Sequence, residues 1–315
     1  MMTKNNYVKR GLDMIVYHYC SLDVFMKIVS GKAIRLSDIT KSNDSMEILW
    51  ITKFIKDIFD DEFQKEIQKT QYFENGYPKE TFIELVEHYS DEFFKENIRL
   101  YSYLVCCFSE KGDLLSQWRG YADDANGVSI GFDGNFLSTI GKPAKDDFIS
   151  SDIFEFGQII YTDKSQQSEI RKIAQQLIAK LKVIVKNNPK DIKHESMAVF
   201  NDCFLQLFKL SIFIKNPFFK EEKEWRICYW TDIKPDTEVS NTYIENNIKI
   251  SDIKYHNRRN DLIPHIDLIF DESKEQIIKE VIIGPKCKAS KSDIEAFLAK
   301  NGIFCSVKKS DGTYR

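Results

Sequence analysis

Residues 219–230 (FKEEKEWRICYW) place an acid and a base inside an aromatic run that favours a β-strand. If residues 223–230 form a strand, its period of two puts Glu224 and Arg226 on the same face. Burying a lone carboxylate costs several kcal/mol, or the group takes up a proton. The segment therefore predicts either an internal Glu224–Arg226 ion pair or a functional acid, and the residues alone leave both interpretations open.

The composition predicts a globular protein of the cytoplasm. The chain has 315 residues, of which 43% are hydrophobic, and its 45 basic and 48 acidic residues nearly balance. This total shows no charge signature of nucleic-acid binding. Seven cysteines without a CxxC pair are typical of reduced thiols, and the neighbours Cys106 and Cys107 are predicted to be core residues. The absence of a signal-peptide pattern and of a run of about 18 apolar residues predicts a cytoplasmic location with no membrane partner.

Short strand-like segments alternate with long helical ones. Residues 15–20 and 101–109 are β-branched and aromatic, which favours strands, whereas residues 46–97 carry helical apolar patterns that predict an insertion. Residues 164–215 predict a helical pair packed on the sheet. Because no linker or repeat is visible, we expect a single α+β domain over residues 1–315.

Candidate chemical residues lie at or near strand ends. His18 lies in the predicted strand at residues 15–20, Ser109 ends the predicted strand at residues 101–109, and Glu224 lies on the later charged strand. A lone histidine on an aromatic strand is more often a core residue than a catalyst, and a lone serine at a strand end is usually a turn former. The order of the three along the chain is more specific than any one of them.

The turn at residues 38–47 is rich in Asp, Asn, Ser and Glu, a composition that metal sites share. Side-chain bonds of such residues to their own backbone explain the turn without a metal, and we predict none. A nuclease or phosphotransferase that uses these acids with a divalent metal remains a third alternative.

Four blocks of the sequence resemble a bacterial family catalogued as domain of unknown function 2971. They comprise YHYCSLDVFMKIVSGKAIRLSDITKSNDSME (residues 17–47), CFSEKGDLLSQWRGYADDANGVSIGFD (107–133), FFKEEKEWRI (218–227), and IIGP with the closing SDGTYR (282–285 and 310–315). The chain departs from the family pattern at Cys20, Ser45 and Thr313, where the family has Thr, Pro and Pro. None of these departures removes a predicted active group.

A second resemblance is to the ADP-ribosyltransferase fold. It lies in the order of three strands along the chain: one that contains a histidine, one that ends in a serine and is followed by a helix with a tyrosine, and a later one that contains a glutamate. It implies a split mixed sheet with helical insertions, and NAD as the substrate. By this resemblance His18 contacts a ribose of NAD, Ser109 with Tyr121 frames the nicotinamide, and Glu224 holds a hydroxyl of the nicotinamide ribose. His18 and Glu224 are thus the predicted catalytic residues.

The chemistry that this resemblance implies is coherent. Cleavage of the nicotinamide–ribose bond passes through an oxocarbenium-like state, which the Glu224 carboxylate would stabilise. Arg226 is expected either to hold the diphosphate or to clamp Glu224. The full set of predicted cofactor-binding residues is Tyr19, Ser109, Trp118, Tyr121, Arg226, Asn43 and Asp44.

The first functional hypothesis is NAD-dependent ADP-ribosyl transfer to a protein or nucleic acid, or NAD hydrolysis, by a bacterial toxin or phage-defence effector. It expects His18 and Glu224 to open into one cleft with Ser109 or Tyr121 between them.

The alternative hypothesis is a non-catalytic nucleotide- or ligand-binding module of a defence or regulatory complex. In that case Glu224 and Arg226 form an internal pair, and Trp118 and Trp225 belong to the core.

Overall fold

The fold is described from a computed structural model over residues 14–42, 46–69, 79–100, 102–140, 153–187, 191–231, 243–244, 248–258, 260–270 and 276–314. The chain divides into two compact units, and each is described by itself. The first unit comprises Met1–Lys41, Ser102–Ile159 and Lys220–Arg315, and the second comprises Ser42–Tyr101 and Ile160–Phe219. The single domain expected over residues 1–315 stays a prediction.

Every strand of the described residues lies in the first unit and joins one mixed sheet. The strands are β1 (Ile15–Cys20), β2 (Ala33–Asp38), β3 (Ser102–Ser109), β4 (Val128–Asp133), β5 (Ile153–Gln158), β6 (Glu224–Thr231), β7 (Tyr243–Ile244), β8 (Ile248–Ile250), β9 (Lys254–Arg258), β10 (Asp261–Ile269), β11 (Ile278–Ile283) and β12 (Ser306–Lys309). The sheet order is β12-β11-β4-β1-β3-β2-β10-β8-β7, with β6 on β3, β5 on β6 and β9 on β10. The β11–β12 pair is parallel, whereas the pairs that form the rest of the described sheet are antiparallel.

The helices are shared between the two units. They are α1 (Leu22–Gly31), α2 (Thr52–Lys69), α3 (Lys79–His88), α4 (Phe94–Leu100), α5 (Leu115–Tyr121), α6 (Gly134–Leu137), α7 (Asp163–Lys186), α8 (Ile192–Ser211) and α9 (Lys291–Lys300). A π-helical turn lies at Tyr89–Phe93, and short 3₁₀ turns lie at Ile39–Lys41, Leu49–Ile51 and Pro217–Glu222. The α+β class with a mixed sheet is therefore confirmed.

Strand β3 organises the sheet because it pairs with three other strands. Strand β6 runs along its whole length, from Ser102 to Ser109. Since a strand has only two edges, β1 and β2 share the other edge at separate places. Tyr17 of β1 pairs with Ser109, and Ser37 of β2 pairs with Val105. The sheet thus splits along this edge of β3.

One face of the sheet carries the main apolar core of the first unit. Alternate residues of the central strands point into it, among them Val16, Cys20, Leu104, Cys106, Phe108, Ile227 and Tyr229. Helix α1 contributes Phe25, Ile28 and Val29 to the same core. Its first turn is capped by Ser21, whose side chain accepts a hydrogen bond from the Val24 N–H, so the chain turns from β1 directly into the helix.

The second unit is built from α2, α3, α4, α7 and α8. Aromatic side chains pack its interior: the Phe63 and Phe82 rings stack with centroids 3.9 Å apart. Gln166 is fully buried and donates to the carbonyl groups of Ile160 and Lys215. Helices occur within both predicted helical segments, 46–97 and 164–215, and the packing of the latter pair on the sheet stays a prediction.

Among the described residues, no helix combines the length and the apolar character needed to cross a membrane.

Candidate functional site

Glu224 and Arg226 form an ion pair on the face of the sheet opposite the main core. Arg226 donates from Nε to Glu224 Oε1 at 2.5 Å and from Nη2 to Oε2 at 3.1 Å. The two residues are 4% and 1% exposed. A guanidinium that binds both oxygens fixes the orientation of the carboxylate. The strand period correctly predicted that these two side chains share a face.

Strand β3 places two more polar residues on this face. Cys107 lies directly opposite Arg226, and Ser109 lies directly opposite Glu224. Ser109 is buried, whereas Cys107 is exposed. The prediction that Cys107 is a core residue is therefore wrong, because its side chain lies on the polar face while that of Cys106 lies in the core.

Ser109 and Tyr121 meet the chain just before β6. Ser109 Oγ donates to the Glu222 carbonyl oxygen at 2.8 Å and accepts from the Lys111 N–H at 3.2 Å. Tyr121, at the end of α5, donates from its hydroxyl to Glu222 Oε1 at 3.0 Å, and its side chain is exposed. Three predicted site residues, Ser109, Tyr121 and Glu224, are thus brought to one end of the β3–β6 pair.

His18 lies on the other face of the sheet. Because Tyr17 is the residue opposite Ser109, strand alternation turns His18 toward the core side. Its ring makes an edge contact with Phe108 at a centroid distance of 6.0 Å. The expectation that His18 and Glu224 open into one cleft is therefore wrong, while their catalytic roles stay a prediction.

The His18 ring has a local structural role at the split of the sheet. Its Nδ1 lies 3.0 Å from the Cys107 carbonyl oxygen, on the edge of β3 that β1 and β2 share. Since a carbonyl only accepts, Nδ1 carries the hydrogen and Nε2 is the acceptor of the neutral ring. Desolvation lowers the pKa of His18 and outweighs the opposite effect of the bond to Cys107.

Tyr19 and Trp118 belong to a small buried cluster. Their rings meet edge to face with centroids 4.8 Å apart, and the residues are 5% and 1% exposed. The Tyr19 hydroxyl donates to the Lys111 carbonyl oxygen at 2.6 Å, and Trp118 Nε1 donates to Asp113 Oδ1 at 2.6 Å. Two of the predicted cofactor-binding residues are thus packed against each other, and their role in cofactor binding stays a prediction.

Asp113 joins α5 to the segment Ser310–Tyr314. Its carboxylate accepts from Trp118 Nε1, from Ser310 Oγ at 2.7 Å and from the Asp311 N–H at 2.9 Å. Partial burial raises the pKa of Asp113, but the hydrogen bonds from Ser310 and Trp118 outweigh it and hold the pKa below its usual value. This contact explains why two separate sequence blocks meet in the structure.

Tyr314 anchors the same segment beyond α5. Its hydroxyl donates to Asp124 Oδ1 at 2.8 Å, and Lys286 binds the other oxygen of that carboxylate at 2.5 Å. The Lys286 ammonium also lies 4.3 Å from the centre of the Tyr314 ring, as in a cation–π contact. Asp124 lies in a turn with a left-handed backbone (φ 49°), so these bonds hold a loop of unusual conformation.

Gln117 was not singled out from the sequence. It lies on α5 one turn before Tyr121 and is only 7% exposed. The sequence signal that would have pointed to it is its spacing of four residues from Tyr121, which puts both side chains on one side of the helix.

Two predicted site residues, Asn43 and Asp44, lie outside the described residues. Within the described ranges, no three His, Cys, Asp or Glu side chains are grouped so that they could hold a metal ion.

Comparisons with known proteins bear on the middle of the chain. No curated protein and no solved structure matches it, and neither search connects it to an ADP-ribosyltransferase. A family model described as "Protein of unknown function (DUF2971)" matches residues 117–227, which include Tyr121, Glu224 and Arg226. The resemblance of residues 17–47 and 310–315 to this family stays a prediction. Over residues 117–227 the chain is similar to the DUF2971 family.

Proposed function

We propose that the protein is a non-catalytic nucleotide-binding module of a defence or regulatory complex, and that the ligand binds on the polar sheet face beside Cys107, Ser109 and Tyr121. The observation that carries this proposal is the Glu224–Arg226 pair. The carboxylate that the catalytic hypothesis needs is bound through both oxygens and is only 4% exposed. A carboxylate held in this way is a structural charge rather than one that is free to engage a ribose.

The composition of the polar face supports binding. Small-molecule sites combine a few converging polar groups with an aromatic side chain that the ligand can reach. Here Ser109, Glu224 and Arg226 are buried, whereas Cys107 and Tyr121 on either side of them are exposed. A polar molecule with an aromatic ring fits this combination of buried charge and accessible phenol.

A second candidate is NAD-dependent ADP-ribosyl transfer, with NAD as substrate and a macromolecule as acceptor. It is favoured by the meeting of Ser109, Tyr121 and Glu224 at one end of β3 and β6, and by the split along β3, which an ADP-ribosyltransferase-like sheet would also have. In this hypothesis a ribose hydroxyl would displace one guanidinium nitrogen from Glu224. His18 lies on the other face of the sheet, and its catalytic role stays a prediction.

One pair of measurements separates the two functions. Isothermal titration calorimetry of the purified chain with NAD, ADP-ribose, AMP and GMP measures binding, and chromatography of NAD incubations with protein or nucleic-acid acceptors measures nicotinamide release. We expect binding of at least one nucleotide without release of nicotinamide. The opposite result is release of nicotinamide that Glu224→Gln abolishes and that the exposed control Glu92→Gln leaves unchanged. That result would overturn the module in favour of the transferase.

A further inference from the structure

We infer that Gln117 reads the edge of a planar heterocycle that bears an amide or amidine group, such as a nucleobase or nicotinamide, and that Tyr121 stacks on the face of the same ring. The inference rests on the proposed nucleotide binding and names the residue that would give it specificity.

The first observation is the state of the Gln117 amide. The residue is 93% buried, yet its side chain has no hydrogen-bond partner among the described residues. Most polar side chains that are buried in native proteins have a hydrogen-bond partner within the protein, so an amide without one is available to a ligand. Unlike Ser116 Oγ, the amide atoms are not among the polar atoms sealed from solvent, so a ligand can reach them.

The second observation is the orientation of α5. Gln117 and Tyr121 are separated by four residues and therefore lie on the same side of the helix. That side is fixed next to the polar face, because the Tyr121 hydroxyl and Ser109 Oγ both bind Glu222. On the neighbouring side of the helix, Trp118 donates to Asp113, which also accepts from Ser310, and these two bonds together hold the helix against rotation.

The chemistry of these two side chains selects the ligand class. A glutamine amide offers one acceptor oxygen and an NH₂ donor side by side, which matches the N6–N7 edge of adenine and equally a carboxamide. An exposed phenol ring supplies a stacking surface of the kind that binds bases without regard to sequence. Inorganic phosphate has no ring to stack on Tyr121 and no planar donor–acceptor edge to match the amide.

A purely structural glutamine predicts the opposite response to substitution. If Gln117 only fills space, Gln117→Leu removes an unpaired amide at similar volume, which leaves the stability of the protein equal or higher and the binding of nucleotides unchanged. If Gln117 reads the ligand, the same variant is equally stable and binds more weakly. Stability and binding measured together therefore separate the two roles.

The experiment is calorimetric titration of wild type, Gln117→Leu, Gln117→Met and Tyr121→Leu with AMP, nicotinamide mononucleotide and inorganic phosphate, together with thermal melts. Ser116→Ala, a matched change one residue away on α5, is the control. We expect Gln117→Leu and Gln117→Met to bind roughly tenfold more weakly or worse, with an unchanged or higher Tm, and Ser116→Ala to bind as wild type does. The AMP and nicotinamide arms show which heterocycle is read.

Two results would overturn the inference and can be told apart. If the wild type binds a nucleotide and both Gln117 variants bind it within about twofold of the wild type, the amide has no role in recognition and the proposed function stands. If the wild type binds none of the nucleotides, the proposed function fails and the inference fails with it.

Discussion

At the scale of single residues, the nearest neighbour decides what an ionisable group can do. Glu224 on β6 lies within reach of the Arg226 guanidinium two positions later, and the pair is almost completely removed from water. Two buried charges are tolerated only together, because each one alone would cost several kcal/mol to desolvate. The stability of β6 should therefore depend on keeping both charges or removing both.

We predict that Arg226→Met lowers the free energy of unfolding by about 3–5 kcal/mol, because it leaves the Glu224 carboxylate buried without its guanidinium. The double variant Glu224→Gln/Arg226→Met should be more stable than Arg226→Met alone. Urea unfolding followed by circular dichroism measures both. The exposed pair Lys95–Glu92 supplies the control, since Lys95→Met should change the free energy by less than about 0.5 kcal/mol.

The outcome against this prediction is equally clear. A double variant no more stable than Arg226→Met would show that the loss comes from the packing of the arginine side chain and not from an uncompensated charge.

Residue-scale features were predictable where they depend on local periodicity. Alternation along β6 correctly put Glu224 and Arg226 on one face, because neighbours in a strand point to opposite sides whatever the rest of the chain does. Whether His18 shares that face depends on the register of β1 against β3, which is set by pairing between distant segments. No pattern within residues 15–20 contains that information.

At the scale of elements, α5 owes its position to a segment nearly two hundred residues away. The Asp113 carboxylate binds Trp118 on one side and Ser310 and Asp311 on the other. Since Gln117 and Tyr121 lie on this helix, the segment Ser310–Tyr314 is a positioning element for the candidate site. A short helix of this length has little stability of its own and depends on such contacts.

We predict that Asp113→Ala lowers the free energy of unfolding by about 1–2 kcal/mol, because three hydrogen bonds to one partly exposed carboxylate are lost. It should also weaken nucleotide binding by loosening α5. Asp311→Ala is the matched control, since Asp311 enters this network through its backbone N–H, which the substitution keeps. Equal effects of the two variants in urea unfolding would contradict the role assigned to the Asp113 carboxylate.

The fold resemblance implied a helix that bears Tyr121, but not the surface on which α5 packs. The aromatic residues Tyr19, Trp118 and Tyr121 were all predicted to bind the cofactor, yet the first two are buried against each other and Tyr121 is exposed. Burial depends on which distant segments cover a side chain, and a single sequence does not specify these. The same limit kept Gln117 unnoticed, because a glutamine in a short polar helix carries no sign of being buried.

At the scale of the whole molecule, histidines should set the response to mild acid. His256 and His265 on the β9–β10 hairpin approach each other with their Nδ1 atoms 3.2 Å apart, so that one donates and the other accepts. Desolvation and the positive charge of Arg35 lower the pKa of both from the unperturbed value of 6.5, against the opposite effect of Asp267. Desolvation lowers the pKa of His18 as well.

We predict that the free energy of unfolding is at its full value above about pH 6.5 and falls as the pH decreases from there toward 5. The reason is that these three histidines bind protons more readily in the unfolded chain than in the folded one, so acid favours unfolding, by at most about 1.4 kcal/mol per pH unit for each histidine. His265→Gln should flatten the dependence in urea titrations between pH 5 and 7.5, whereas a change at the exposed His194 should not. A slope that His265→Gln leaves intact would assign the acid response to other groups.

The three partners of β3 also have a consequence for how the protein is made. Strands β1 and β2 precede β3 in the chain, but β6, which covers its other edge along the full length, is translated more than a hundred residues later. During synthesis that edge of β3 therefore has no β6 to pair with until the ribosome has produced both long helices, α7 and α8. Pairings between such distant segments fold slowly and leave strand edges open to wrong partners in the meantime. The centre of the sheet can therefore form during synthesis only after β6 has emerged from the ribosome. The emergence of any single helix is not the deciding step.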